Sequence, residues 1–212
     1  MALGGAYSPD AHRVAFLMEQ QDMKIGMCAG HGRLGAEEPR LWEIDRCIPA
    51  LTQAFSMLKT AGMDVVTPNP SIYELDNDDA LVKKVKFFNE ENCDISVEIH
   101  INAGGGNYST SLFWDKGEKS SVAGEAMAKI IEQQFDSVTP WRSLGAKPQS
   151  YFGRGLYFLN KTNHPSVITE IGFKDNDAHR DWLLKRSGDV LHGSAIAQAL
   201  ILYTQKHYVK VG

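Results

Sequence analysis

No block of Lys or Arg interrupts the sequence, and 22 basic residues stand against 26 acidic ones for a formal net charge of -4. No nucleic-acid partner is expected, because such binding needs a basic face. Cysteine is scarce: Cys28, Cys47 and Cys93 are widely spaced and odd in number, which argues against a disulfide framework or a cysteine-based zinc site. Three buried free thiols are expected instead. No stretch approaches the ~20 apolar residues of a membrane span, so no membrane insertion is expected. The first residues lack the basic region, apolar core and small-residue cleavage site of a signal peptide. Synthesis in the cytoplasm is therefore expected, with any work outside the cell waiting on release by another factor. The helical His-Glu-x-x-His pair is missing as well, which excludes that kind of zinc protease.

What remains is a chain of 212 residues, 43% hydrophobic, long enough to bury a core without staples. Residues 1–22 stand apart as an N-terminal extension, with a short helix expected from Ser8-Pro9-Asp10 to about Gln21. Met23 then opens a domain expected to run from residue 23 to residue 212. Strands are expected at Lys24–Ala29, Asp64–Thr67, Ile95–Asn102, Thr110–Trp114, Leu156–Leu159 and Val167–Glu170. Helical spacing marks Glu43–Thr60, Asp78–Asn89 (Leu81, Val85 and Phe88 inward), Ser121–Phe135, Asp177–Lys185 and Gly188–His207. Thr139–Gly155 reads as irregular and aromatic. Such alternation implies an α/β single domain, a mostly parallel twisted sheet with helices on both faces.

The central stretch is Val97-Glu98-Ile99-His100-Ile101-Asn102, running into three glycines. Apolar residues alternate with a carboxylate, an imidazole and an amide, so one strand face is polar close to its C-terminal end. In open α/β sheets that end is where sites are built, although a half-exposed edge strand would alternate in the same way. Three further residues tip the balance. His31 follows the first strand between glycines, Glu43 opens the next helix, and Glu170 ends a late strand. Two imidazoles and a carboxylate suit a catalytic zinc that keeps one position for water, and a further carboxylate can act as general base. The bland alternative for Glu170 is an ordinary buried carboxylate.

These residues resemble the type 3 N-acetylmuramoyl-L-alanine amidases, a family that includes phage endolysin catalytic domains. Gly30-His31-Gly32 matches the family's first zinc histidine, and Glu43 in Leu41-Trp42-Glu43-Ile44-Asp45 its zinc glutamate. Ile99-His100-Ile101-Asn102-Ala103 matches the second histidine pattern. Pro165, Val167, Glu170, Gly172, Phe173 and Asn176 match the segment that carries the catalytic glutamate. The resemblance covers about residues 24–207 and implies a zinc-exopeptidase-like (phosphorylase/hydrolase-like) fold with one zinc per chain on His31, Glu43 and His100. It also implies Glu170 as the proton-transferring base and peptidoglycan as the substrate, cut at the amide between the muramic-acid lactyl group and L-alanine. A bacteriolytic phage lysin would suit a chain with no export signal.

Two departures stand out. An aspartate often precedes the Gly-His-Gly segment, but Cys28 stands in that region and Arg33 follows, so support for His31 must come from elsewhere. Glu98 replaces a serine; sharing a face with His100, it either orients a ligand or forms a structural ion pair. Asn102 is a candidate for substrate contact or for fixing the loop, and His164, in the turn before Pro165, for lining the cleft. Trp141, Tyr151, Phe152 and Arg154 are candidates for a peptide groove. His12, His179, His192 and His207 fall on expected helices and are read as solvated or capping. Two alternatives stay open: another zinc exopeptidase acting on peptides, and an inactive wall-binding module. The sequence says nothing of oligomeric state, host or wall chemotype.

Overall fold

Chain reversal sets the architecture. In the computed structural model, which describes residues 23–153 and 155–207, β1 (Lys24–Ala29) leads through α1 (Glu38–Thr60) to β2 (Asp64–Val66) at the sheet edge. A 3-10 turn (Pro70–Glu74) and α2 (Asn77–Glu90) then carry the chain back to β3 (Ile95–Asn102), on the other side of β1. β4 (Ser109–Phe113), a small hairpin of β5 (Asp115–Lys116) and β6 (Lys119–Ser120), and α3 (Val122–Val138) follow. β7 (Ser143–Pro148), α4 (Tyr157–Lys161), β8 (Ser166–Phe173), α5 (Asp177–Leu184) and α6 (Arg186–His207) complete the chain. The expected helix between Ser8 and Gln21, with His12, lies outside the described residues, as does Arg154.

The main sheet runs β2-β1-β3-β8-β4-β7. The first four strands are parallel, and β4 pairs antiparallel with β8 and parallel with β7. β1 is flanked by the strand that follows it and by the strand after that, so the strand order switches there. Switch points open a crevice beyond the carboxyl ends of the strands.

The sheet is covered on both faces, as expected. Ile95, Val97, Ile99 and Ile101 of β3 face a large apolar cluster with Cys47, Leu51 and Leu58 of α1, Met127 and Ile131 of α3, and Ile196 and Leu200 of α6. The opposite face gathers Cys28, Val85, Phe88, Leu112, Phe158, Leu159 and Ile168. β3 lies at the centre of the sheet, so the edge-strand explanation of its alternation is set aside. All three cysteines are free and buried.

Three local expectations are corrected. Helix α1 starts at Glu38 rather than Glu43, because Pro39 sits in its first turn, where a missing N–H breaks no helical bond. Leu156–Leu159 is not a strand: Phe158 and Leu159 bury from the short helix α4, and a four-residue apolar run carries no periodicity that separates the two states. The irregular segment contains β7, whose Ser-Leu-Gly-Ala-Lys-Pro sequence has little strand propensity and is tolerated as an edge strand ending in proline.

Candidate metal centre

His31, Glu43 and His100 converge at the carboxyl ends of β1 and β3. One ligand atom from each can be chosen so that all three lie within 4.8 Å of one another. Backbone geometry brings the imidazoles together. Gly30 N–H donates to Ile99 O at 2.8 Å, extending the β1–β3 ladder. A Cβ on Gly30 would lie 2.0 Å from the His100 ring, so glycine is required there. The chain then turns through His31 at φ 61°, a left-handed conformation that few non-glycine residues adopt. The two rings meet edge to face with centroids 4.7 Å apart.

Each imidazole is held by one nitrogen and presents the other. Asn77 Oδ1, at the start of α2, lies 2.9 Å from His31 Nδ1, and His31 Nε2 lies 3.3 Å from Glu43 Oε1. Glu98 Oε2 lies 3.1 Å from His100 Nε2, and His100 Nδ1 lies 3.1 Å from the same Glu43 oxygen. Glu43 sits inside α1, not at its start; its Oε1 accepts from Ile101 N–H at 3.1 Å, and its Oε2 accepts from Lys174 Nζ at 2.5 Å. Ligand imidazoles fixed through their second nitrogen by a carboxylate or amide oxygen are what a metal site requires. The donor set suits zinc in the same terms.

Electrostatics favour a cation at this point. Burial works to raise the Glu43 carboxyl, but hydrogen bonds and charge from His100 and His31 outweigh it and hold the group well below the usual carboxylate range. Burial likewise opposes charge on His100, yet Glu98 and Glu43 push the imidazole up to about 10. Carboxylates that retain a proton on a ring this strongly will also stabilise a metal cation there.

Glu170 stands directly across the β3–β8 ladder from His100 and is 8% exposed. Both line a cavity of about 370 Å³ that also takes in His31, Glu43, Asn102 and Lys174. One wall is apolar, made of Leu112, Leu156, Phe158 and Ile168. An anionic cluster, a further carboxylate and an apolar wall can together bind a metal, move a proton and exclude water.

Other candidates are placed elsewhere. His164 is corrected: its Nε2 lies 2.9 Å from Ser96 Oγ at the start of β3, so it occupies the opposite end of the sheet from His100, roughly 13 Å of strand away. Burial pushes it down to about 4. His179 and His192 are buried rather than solvated. Phe173 N–H donates to His179 Nδ1 at 2.9 Å, and Trp141 stacks on the His179 ring. That stacking takes Trp141 into the core, away from the expected groove, while Tyr151 is 55% exposed. Asn102 lines the cavity, but its Oδ1 accepts from Ala103 N–H at 2.8 Å and so also shapes the loop.

Sequence reasoning missed Asn77, Lys84 and Lys174. Asn77 supplies the support for His31 that Cys28 does not. A signal existed for Lys84, which falls between Leu81, Val85 and Phe88 on the inward stripe of α2. Nothing marked Lys174 or Asn77, whose roles depend on which strand ends and helix ends meet.

Comparison with known proteins is consistent with this geometry. The family model described as N-acetylmuramoyl-L-alanine amidase matches residues 25–201. An uncharacterized cell wall amidase of Bacillus anthracis is 34% identical over 106 residues, which are 47% of this chain and 19% of that protein. The match thus spans about a fifth of that relative's length. Among solved structures, an N-acetylmuramoyl-L-alanine amidase of Nostoc punctiforme superposes with a TM-score of 0.71 at 20% identity, covering 86% of this chain and 97% of the other. One from Mycobacterium smegmatis gives 0.73 at 15% identity, covering 89% and 99%. The catalytic domain of an endolysin targeting Clostridium difficile gives 0.65 at 22% identity, covering 85% and 97%. At these identities the superpositions establish the fold.

Proposed function

This chain belongs to the N-acetylmuramoyl-L-alanine amidase family, and from that premise we propose that residues 23–212 form a zinc-dependent peptidoglycan hydrolase. The bond cut is the amide joining the muramic-acid lactyl group to L-alanine. The observation that carries this reading is the convergence of His31, Glu43 and His100 beside Glu170 in one cavity.

His31, Glu43 and His100 would hold one zinc. Bound there, zinc supplies Lewis acidity that polarises the scissile carbonyl and brings the pKa of water down toward ~7. Glu43 is suited to its part because its carboxyl stays ionised far below neutral pH, and Lys174 occupies its second oxygen. Glu170 takes a proton from the attacking water. It then delivers that proton to the departing L-alanine nitrogen, without which the amine is a poor leaving group. The apolar wall of Leu112, Leu156, Phe158 and Ile168 keeps bulk water from the carboxylate and strengthens its charge interactions. Asn102, which lines the cavity, would contact the substrate. A bacteriolytic role as a phage lysin that reaches the wall after release accords with the endolysin domain among the fold's relatives.

A digest of purified peptidoglycan tests this reading. New free L-alanine amino termini, with no release of terminal amino acids, are the expected products. Terminal amino acids instead would identify a peptidase, and zinc binding without any product would identify a wall-binding module.

A further inference from the structure

We propose that Lys84 is a positioning residue for this centre, tying both ligand histidines to one buried ammonium. The inference rests on the zinc reading above. Lys84 is fully buried, an uncommon place for lysine unless it is well partnered. Its Nζ donates to Ala29 O and to His31 O, each at 2.7 Å, and lies 3.9 Å from Glu98 Oε1. The ammonium also sits 5.1 Å from the centre of the Tyr73 ring, whose hydroxyl accepts from Ala29 N–H at 3.0 Å.

These contacts have a geometric consequence at each imidazole. At His31, the left-handed turn is unfavourable for a residue with a side chain and persists only where its surroundings fix it. Lys84 grips the carbonyls on either side of Gly30, so this turn cannot relax without stranding a buried cation. At His100, the carboxylate that holds Nε2 is the one that faces Lys84 through its other oxygen. One ammonium therefore sets the backbone under the first histidine and the carboxylate behind the second, while remaining outside the ring of ligand atoms.

The test compares zinc dissociation constants, by chelator competition, for the unaltered chain, E98Q, and K84M in the E98Q background. Glutamine at position 98 retains an acceptor for His100 and removes the charge that methionine at position 84 would leave unpaired. The unaltered chain and E98Q should each load one zinc. Adding K84M should raise the dissociation constant 10- to 100-fold, the range typical of lost outer support. The d–d spectrum of the cobalt-loaded protein should change as well. If the methionine variant does not fold, K84Q takes its place in the same comparison. Zinc affinity and cobalt spectrum equal to those of E98Q, with only a lower melting temperature of the metal-free protein, would overturn the proposal. Failure of the unaltered chain to take up zinc would overturn the zinc reading and this proposal with it.

Discussion

Two histidines in different parts of the molecule show what distinguishes the strand-end rim from the helical layer beneath it. The His100 side chain is 13% exposed and lies between Glu43 and Glu98, which push it up to about 10. His192, on α6, is fully buried with neither ring nitrogen hydrogen-bonded, and burial alone pushes it down to about 3. Its packing is apolar, with the Phe135 ring edge-on at 5.6 Å. Burial is common to both, so burial does not make a site. What differs is the supply of oriented acceptors. Functional sites are where desolvation and specific charge partners coincide, whereas a histidine in an apolar layer acts as a flat, neutral ring.

If that contrast is sound, the largest effects should follow from changes at the rim. Glu170→Gln keeps the shape of the side chain and removes the proton acceptor. Hydrolysis of peptidoglycan should fall by roughly 10²- to 10⁴-fold while one zinc per chain is retained. Unchanged activity would remove Glu170 from its proposed role. His31→Ala and His100→Ala should instead lose the metal, read as zinc per chain by elemental analysis. His192→Leu, as the control from the helical layer, should load zinc normally.

A smaller effect is expected at the edge of the rim. Asn77→Ala withdraws the oxygen 2.9 Å from His31 Nδ1 and should weaken zinc binding 10- to 100-fold without abolishing it. Asn77→Asp, which keeps the acceptor, should restore much of the affinity. Equal affinity in all three proteins would show that the backbone under His31 suffices.

Much of the architecture was legible in the sequence because it rests on local periodicity. Alternation over Ile95–Asn102 marked both a strand and the direction of its polar face, and the helical spacing of α1, α2, α3 and α6 marked the covering layers. Glu43 is legible without the exact start of its helix, which Pro39 in the first turn marks at Glu38. His179 and His192 were misplaced for a different reason, whereas His207 is exposed at the end of α6 as expected. A helical histidine has the same sequence context whether it faces water or the core, and only packing against α1 and α3 decides the case of His192. Asn77, Lys84 and Lys174 were hidden because their partners are carbonyls and side chains distant in the chain. The pairing of Lys174 with Glu43 spans 131 positions. No short motif encodes such a crossing. An apolar stripe interrupted by one lysine, as at Lys84, is the exception that sequence can reveal.

The smallest effect belongs to His192, and its sign can be worked out. In the unfolded chain its imidazole should titrate near ~6.5, while in the folded protein it stays neutral down to about 3. Above the first value both states are neutral, and the residue contributes no pH dependence. As pH falls through the window between the two, the unfolded chain takes up a proton that the folded one refuses, so stability is lost at up to ~1.4 kcal/mol per pH unit. His192→Leu removes that proton-linked difference and leaves an apolar side chain in an apolar layer. Its stability relative to the unaltered chain should therefore rise steadily as pH is lowered from 7 toward 4, by roughly a few kcal/mol in all. His164, which is also held low by burial, titrates alike in both proteins and drops out of the difference. Urea melts at pH 7, 5.5 and 4.5 measure the divergence. Curves that stay parallel would mean that His192 finds a partner for its proton, and the two regions would then differ less than their surroundings indicate.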